Sequence, residues 1–177
     1  PLGLVIDDIY MLVTNSTLAN NHGNLSFGMI DNSSTIIVNS ILWNNSPQEI
    51  NGSITATYSD IEGGWEGTGN IDLDPLFVDA ANGDLHLSDY SPCIGAGTST
   101  GAPDTDIEGN PRPNPEGSNP DMGAYENALG SPANAPPTIT SISNVSILED
   151  ASEQTMNLTG IDDGDIIPDQ TLTITAT

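Results

Sequence analysis

The 177-residue sequence predicts an all-β architecture, a solenoid followed by the opening strands of a second β module. Three observations predict it. A short β-type segment recurs 24 residues apart, a turn-rich passage follows the copies, and a Pro/Ala stretch separates that passage from a strand-like tail.

Composition narrows the function classes first. Asp and Glu number 25 against one cation, Arg112, for a net charge of −24. Phosphate binding needs clustered cations, so no nucleic-acid partner is expected, and neither is a polybasic contact with anionic lipid. No apolar run approaches the ~18–20 residues of a spanning helix, so no membrane span is expected. The lone Cys93 forms neither an internal disulfide framework nor a thiolate metal cluster. The chain opens on Pro1 without a signal-peptide pattern and stops within the alternating TLTITAT, so it is read as a piece of a longer protein. The absence of Lys, the acidity and the wealth of Asn, Ser, Thr and Gly point to an extracellular or cell-surface location, where salt screens the self-repulsion.

The repeat organises the first third of the chain. LVTNSTLANN (Leu12 to Asn21) aligns with IIVNSILWNN (Ile36 to Asn45), with identities at Asn15/Asn39, Ser16/Ser40, Leu18/Leu42, Asn20/Asn44 and Asn21/Asn45. A weaker copy, ATYSDIEGG, follows 19 residues on. Stacking the copies builds three ladders: Thr14–Val38–Thr57, Ser16–Ser40–Ser59 and Leu18–Leu42–Ile61. Period-2 alternation points Val38, Ser40 and Leu42 one way and Asn39, Ile41 and Trp43 the other. The closing pairs Asn20-Asn21, Asn44-Asn45 and Gly63-Gly64 suit left-handed backbone at the turn, and the Asn amides can bond to one another along the stack.

Past the copies, Asn82-Gly83 between Leu76-Phe77-Val78 and Leu85-His86-Leu87 predicts a hairpin with a type I′ turn. The Pro- and Gly-rich passages SPCIGAG and DIEGNPRPNPEGSNPDMGAYE then predict an irregular cap over the open end of the coil.

From about Asn39 to Glu126 the pieces NSILWNN, YSDIEGGWEGTGNIDLDPLFVDAANGDLHL, SPCIGAG, TDIEGNPRP and PDMGAYE stand in a telling order. In that order they resemble the C-terminal end of secreted bacterial right-handed parallel β-helix proteins of the choice-of-anchor type. The resemblance covers roughly half the chain. It implies a β-helix, export and polysaccharide-related biology, but not catalysis. One departure is visible: Gly95 stands where the family usually has Asp.

The expected organisation is therefore β-helix coils and cap over residues 1–129, a linker over 130–137, and a truncated module over 138–177. The tail segments TITSISNVSILED, TMNLTGIDDGD and QTLTITAT resemble the first strands of Ig-like or cadherin-like modules, and further such modules are expected in the same chain. About 40 residues cannot complete a sandwich that needs ~100.

Several side chains carry suggestive chemistry. His22 and His86 lie in no metal spacing, and Cys93 reads as a small buried hydrophobe. Arg112 is expected to pair with a carboxylate such as Asp106 or Asp121. Trp43, Tyr58 and Trp65 are candidate sugar-contact aromatics. Weak Ca²⁺ is the one cofactor the charge invites. Its first candidate ligands are Asp104, Asp106 and Glu108 before Gly109, although Pro115 at the twelfth position excludes an EF-hand. Glu149 and Asp150 with Asp162, Asp163 and Asp165 form a second set, and Asp72 with Asp74 a third.

The functional expectation is a noncatalytic extracellular segment of a large surface or secreted protein. It would be structural, adhesive, or in contact with a polysaccharide or cell-surface glycan. The alternative is the C-terminal portion of a polysaccharide lyase or glycoside hydrolase whose catalytic coils lie upstream. A β-eliminating lyase uses a basic proton abstractor and further cations for the uronate carboxylates, and one arginine does not furnish them. A glycosidase needs placed carboxylates, one of them kept protonated.

Overall fold

Short β-branched and aliphatic runs, punctuated by Asn, Ser and Gly, form eight strands among the described residues. The computed structural model describes residues 10–22, 34–46, 49–50, 54–141, 149 and 159–162. The chain divides into two units, Pro1–Ala133 and Asn134–Thr177. The strands are β1 (Tyr10–Thr14), β2 (Thr17–Ala19), β3 (Ser34–Val38), β4 (Ile41–Trp43), β5 (Ile54–Thr57), β6 (Asp60–Ile61), β7 (Phe77–Asp79) and β8 (Asp84–Leu87). A 3-10 turn at Ala80–Asn82 is the only helical element among the described residues.

Two small parallel sheets, β1–β3–β5 and β2–β4–β6, and one antiparallel pair, β7–β8, make the fold all-β, with no closed sheet among the described residues. The parallel register sets Thr14 against Val38 and Val38 against Thr57, and Leu18 against Leu42 and Leu42 against Ile61. These are the pairs that the aligned segments name.

The alternation expected through residues 38–43 is broken by a corner. Asn15, Asn39 and Tyr58 take positive φ, 43°, 52° and 50°, each between a strand of the first sheet and one of the second. Asn tolerates this region through its short polar side chain, whereas Tyr58 carries a bulky ring into it. Beyond each corner a serine continues the stack: Ser16 N donates to Ser40 Oγ at 3.3 Å and Ser40 N to Ser59 Oγ at 3.2 Å. Each hydroxyl donates back to a carbonyl two residues earlier. Amide-to-amide bonds run alongside, from Asn39 Nδ2 to Asn15 Oδ1 at 3.3 Å and from Asn44 Nδ2 to Asn20 Oδ1 at 2.6 Å.

Both faces of β4 are consequently buried. Leu42 joins Ile37, Ile50, Ala56 and Ile61 in one apolar cluster. Ile41 joins Leu87, Cys93, Ile94 and Met122 in another. Full burial of an aliphatic side chain such as Ile41 stabilises by about 1.5–3 kcal/mol.

Three expectations need correction. The β7–β8 hairpin exists, but its connection is the 3-10 turn closed by Gly83 at φ 84° and not a type I′ turn. The Asp79 carboxylate caps that turn by accepting the Asn82 N–H, which draws the chain into a helical turn before the glycine. Next, the irregular segment lies along one side of the strands. Asn15 Nδ2 donates to Asp121 O, Gly123 N to Asn39 O, Ala124 N to Thr17 Oγ1 and Cys93 Sγ to Asp60 Oδ2, so all three copies are touched. Residues 65–71 close the outer edge of β5 instead. Asn70 Nδ2 donates to Ala56 O, and Asn70 Oδ1 accepts the Ser59 N–H at 3.0 Å, taking the place a next serine would hold. Finally, Arg112 pairs with Glu126, not with Asp106 or Asp121.

In the second unit Thr138 and Asp162 exchange antiparallel backbone bonds, and Thr140 N donates to Thr159 O. Most of the three expected strands lies outside the described residues.

Candidate functional site

The side chains with unusual chemistry concentrate where the irregular segment meets the strands. Asp60 occupies the row of Thr17 and Ile41 and is fully buried. Its Oδ1 accepts the Leu73 N–H and its Oδ2 accepts from Cys93 Sγ at 3.2 Å. Burial pushes the carboxyl up to about 7, with the charges of Asp72 and Asp74 adding to the rise against those two bonds. Burial likewise holds the Cys93 thiol well above its ordinary range, with the Asp60 charge adding to the rise.

Asp121, also fully buried, accepts the Gly95 N–H at 2.7 Å and the Asn127 N–H at 2.6 Å. Burial lifts it to about 7, against those bonds and with the help of the Glu126 charge. Glu126 accepts the Asn114 and Asp121 N–H groups, and burial raises it too. Arg112 Nε lies 2.9 Å from Glu126 Oε2. Its N–H points off that line, so the contact is an ion pair and not an aligned hydrogen bond. Gly95 sits at φ 63°, and a Cβ there would collide with Gly130 O. An Asp at this position would not fit the present backbone.

The proposed calcium ligands are spent differently. Asp106 Oδ1 accepts the Glu108 and Asn110 N–H groups, and Oδ2 accepts from Asn110 Nδ2 and the Glu126 N–H. Burial works against that carboxylate, but four donors outweigh it and lower its pKa. Glu108 faces His86 Nε2 at 3.2 Å, while His86 Nδ1 lies 2.6 Å from Asp84. The imidazole is held up by Asp84 first and Glu108 second, and it stacks on Tyr125 at 4.0 Å between centroids. Asp104 is exposed and supplies only its carbonyl, to Arg112 N. Asp72 and Asp74 accept the Gly63 and Leu76 N–H groups. Glu149 and Asp162 are exposed, and Asp150, Asp163 and Asp165 lie outside the described residues. Among the described residues no three His, Cys, Asp or Glu side chains come together as a metal-holding group.

The three candidate aromatics are dispersed. Trp65 packs on the first apolar cluster, and Tyr58 and Trp43 on the second. Trp43 lines a cleft of about 450 Å³ together with Phe77, Asn44, Glu62 and Asp74. His22 is exposed and makes a parallel bridge to Ser46.

Sequence reasoning missed Asp60, Asn70 and Glu126, and it named Asp121 only as a partner for Arg112. Asp60 carried a signal, since it stands under Thr17 and Ile41 in a buried row where a carboxylate is out of place. No family of known proteins matches the chain, and no curated protein or solved structure matches it either.

Proposed function

We propose that this chain is a noncatalytic structural segment of a large extracellular or cell-surface protein. In this reading it forms the C-terminal coils of a right-handed parallel β-helix, followed by the start of an Ig-like or cadherin-like module, and it contacts carbohydrate through its side. The observation that carries the reading is how the buried charge is used. Among the described residues the buried carboxylates Asp60, Asp106, Asp121 and Glu126 each accept hydrogen bonds from the fold's own groups, and the buried Arg112 is ion-paired with Glu126. A hydrolase keeps a protonated acid and a base facing a substrate cleft. Here the two carboxyls raised to about 7 bind backbone amides inside the protein.

In-register stacking supports the coil reading. The rows Leu18–Leu42–Ile61 and Ser16–Ser40–Ser59 continue through all three copies with like residues over like. Incubation with neutral and acidic polysaccharides, assayed for new reducing ends and for unsaturated uronate absorbance, should yield no product. Turnover by this chain would overturn the noncatalytic reading. An experimental structure in which the strands do not follow one continuous right-handed path would overturn the coil.

A further inference from the structure

We infer that the cleft at the ends of β4 and β7 is a binding subsite for a neutral pyranose, an inference that rests on the carbohydrate-contacting reading above. Trp43 closes β4, and its register partner in β2 is the small residue Ala19. Phe77 opens β7 beside it in the same cleft. Both rings rest on the second apolar cluster and keep part of their surface uncovered. Packed on that cluster and partly exposed, the two rings can offer an apolar platform to the C–H face of a sugar ring. The volume, about 450 Å³, falls in the ~300–1,000 Å³ range of small-molecule sites.

The rim supplies polar partners held in place by the fold. Asn44 is tied to Asn20 Oδ1 through its amide and to Glu62 Oε2 through its backbone N–H at 2.7 Å. Asp74 Oδ1 accepts the Leu76 N–H at 2.9 Å. Leu76 itself is held at φ 50°, a conformation that bulky residues avoid and that surrounding structure must enforce. An ionised carboxylate offers about four acceptor positions, so Glu62 and Asp74 retain capacity for ligand hydroxyl donors. No cation lines this cleft, and Arg112 lines a different one. Uronate, sialate or sulfated sugars would meet two carboxylates without a counter-charge, which restricts the class to neutral rings.

The test titrates the whole chain with neutral tetrasaccharides of glucose, mannose and galactose, and with tetragalacturonate. Indole fluorescence is followed in a Trp65→Phe background, where Trp43 is the remaining tryptophan. At least one neutral tetrasaccharide should quench saturably. Calorimetry should then show a loss of roughly tenfold or more for Trp43→Ala and weaker binding for Glu62→Gln and Asp74→Asn. Trp43→Phe, which keeps a ring, should retain part of the affinity and controls for misfolding. Tetragalacturonate binding as tightly would overturn the neutral class. Binding that survives Trp43→Ala would overturn this subsite while leaving carbohydrate contact elsewhere on the chain. Absence of binding by every saccharide to roughly 10 mM would overturn both.

Discussion

The paired strands of residues 10–61 and the irregular run of residues 88–129 satisfy buried polar groups by opposite means. In the strands the solution is repeated: a serine oxygen under each corner amide and an asparagine amide beside the next. In the irregular run each solution is used once. One carboxylate, Asp121, joins Gly95 to Asn127, and another, Asp106, gathers Glu108, Asn110 and Glu126. Repetition spreads the load over neutral groups, Asp60 in β6 being the exception. Single solutions concentrate it on buried carboxyls, so the irregular run should be more fragile to substitution, while pH acts through one buried carboxyl in each region, Asp60 and Asp121.

The largest expected effect follows directly. Asp121→Ala strips the acceptor from two backbone N–H groups in a fully buried place. Each orphaned donor costs about 1–3 kcal/mol, so a loss of about 4 kcal/mol is expected in urea unfolding. Ser40→Ala removes one link of a repeated ladder and should cost only about 1–2 kcal/mol. Equal losses would erase the distinction between the two regions.

The same distinction decides what could be read from the sequence. Ser16, Ser40 and Ser59, and the row Leu18, Leu42, Ile61, were legible because a repeat converts sequence offset into spatial neighbourhood. The corner at Asn39 was not, since strict alternation predicts one buried face and the left-handed φ there lets Ile41 and Leu42 both turn inward. Arg112 was legible as half of an ion pair. Its partner Glu126 was not, because without periodicity several acids stand equally near in sequence. Trp43, Tyr58 and Trp65 look alike in sequence, and what singles out Trp43 is the cleft it lines with Phe77, not the cluster it packs on, which Tyr58 shares.

Acidity sharpens the comparison further. Asp60 and Asp121 titrate near 7 in the fold against an ordinary value of 3.8. The raised value means the folded state holds protons that the unfolded state has released. Stability is therefore full below about pH 4 on this account and is lost as pH rises through 7. Three pH units at 1.36 kcal/mol each make this about 4 kcal/mol per group. Asp106, whose pKa is lowered, acts the other way and is lost only as pH falls through its own folded value. The unfolding midpoint should be higher at pH 5 than at pH 8, and Asp60→Asn should flatten the slope. A wild-type midpoint that is level over this range would show both carboxyls ionised as usual.

A smaller effect is expected where the strands meet their closing segment. Asn70 makes three bonds, to Ala56 O, Trp65 O and from Ser59 N. Asn70→Ala should cost about 2 kcal/mol, less than the loss at Asp121 because the residue is only half-buried and water can replace part of the network. Amide exchange separates local from global loosening. Ser59 and Ile61 should exchange faster while the Ser16 amide at the far side of the stack keeps its protection. Uniform acceleration would mean that the edge is not closed locally by Asn70.

The smallest effect belongs to His86, whose ring bridges Asp84 and Glu108 at a surface position. A neutral imidazole donates from one nitrogen only, whereas the protonated ring donates to both carboxylates, which is why its pKa is raised. Its contribution is therefore present below pH 6.5 and disappears as pH rises through the folded value. Because the pair is exposed and salt-screened, the gain stays small. His86→Gln should leave the midpoint at pH 8 unchanged within error, lower it slightly at pH 5, and lose even that difference in high salt. A large drop at pH 8 would instead locate the importance of this side chain in its packing against Tyr125.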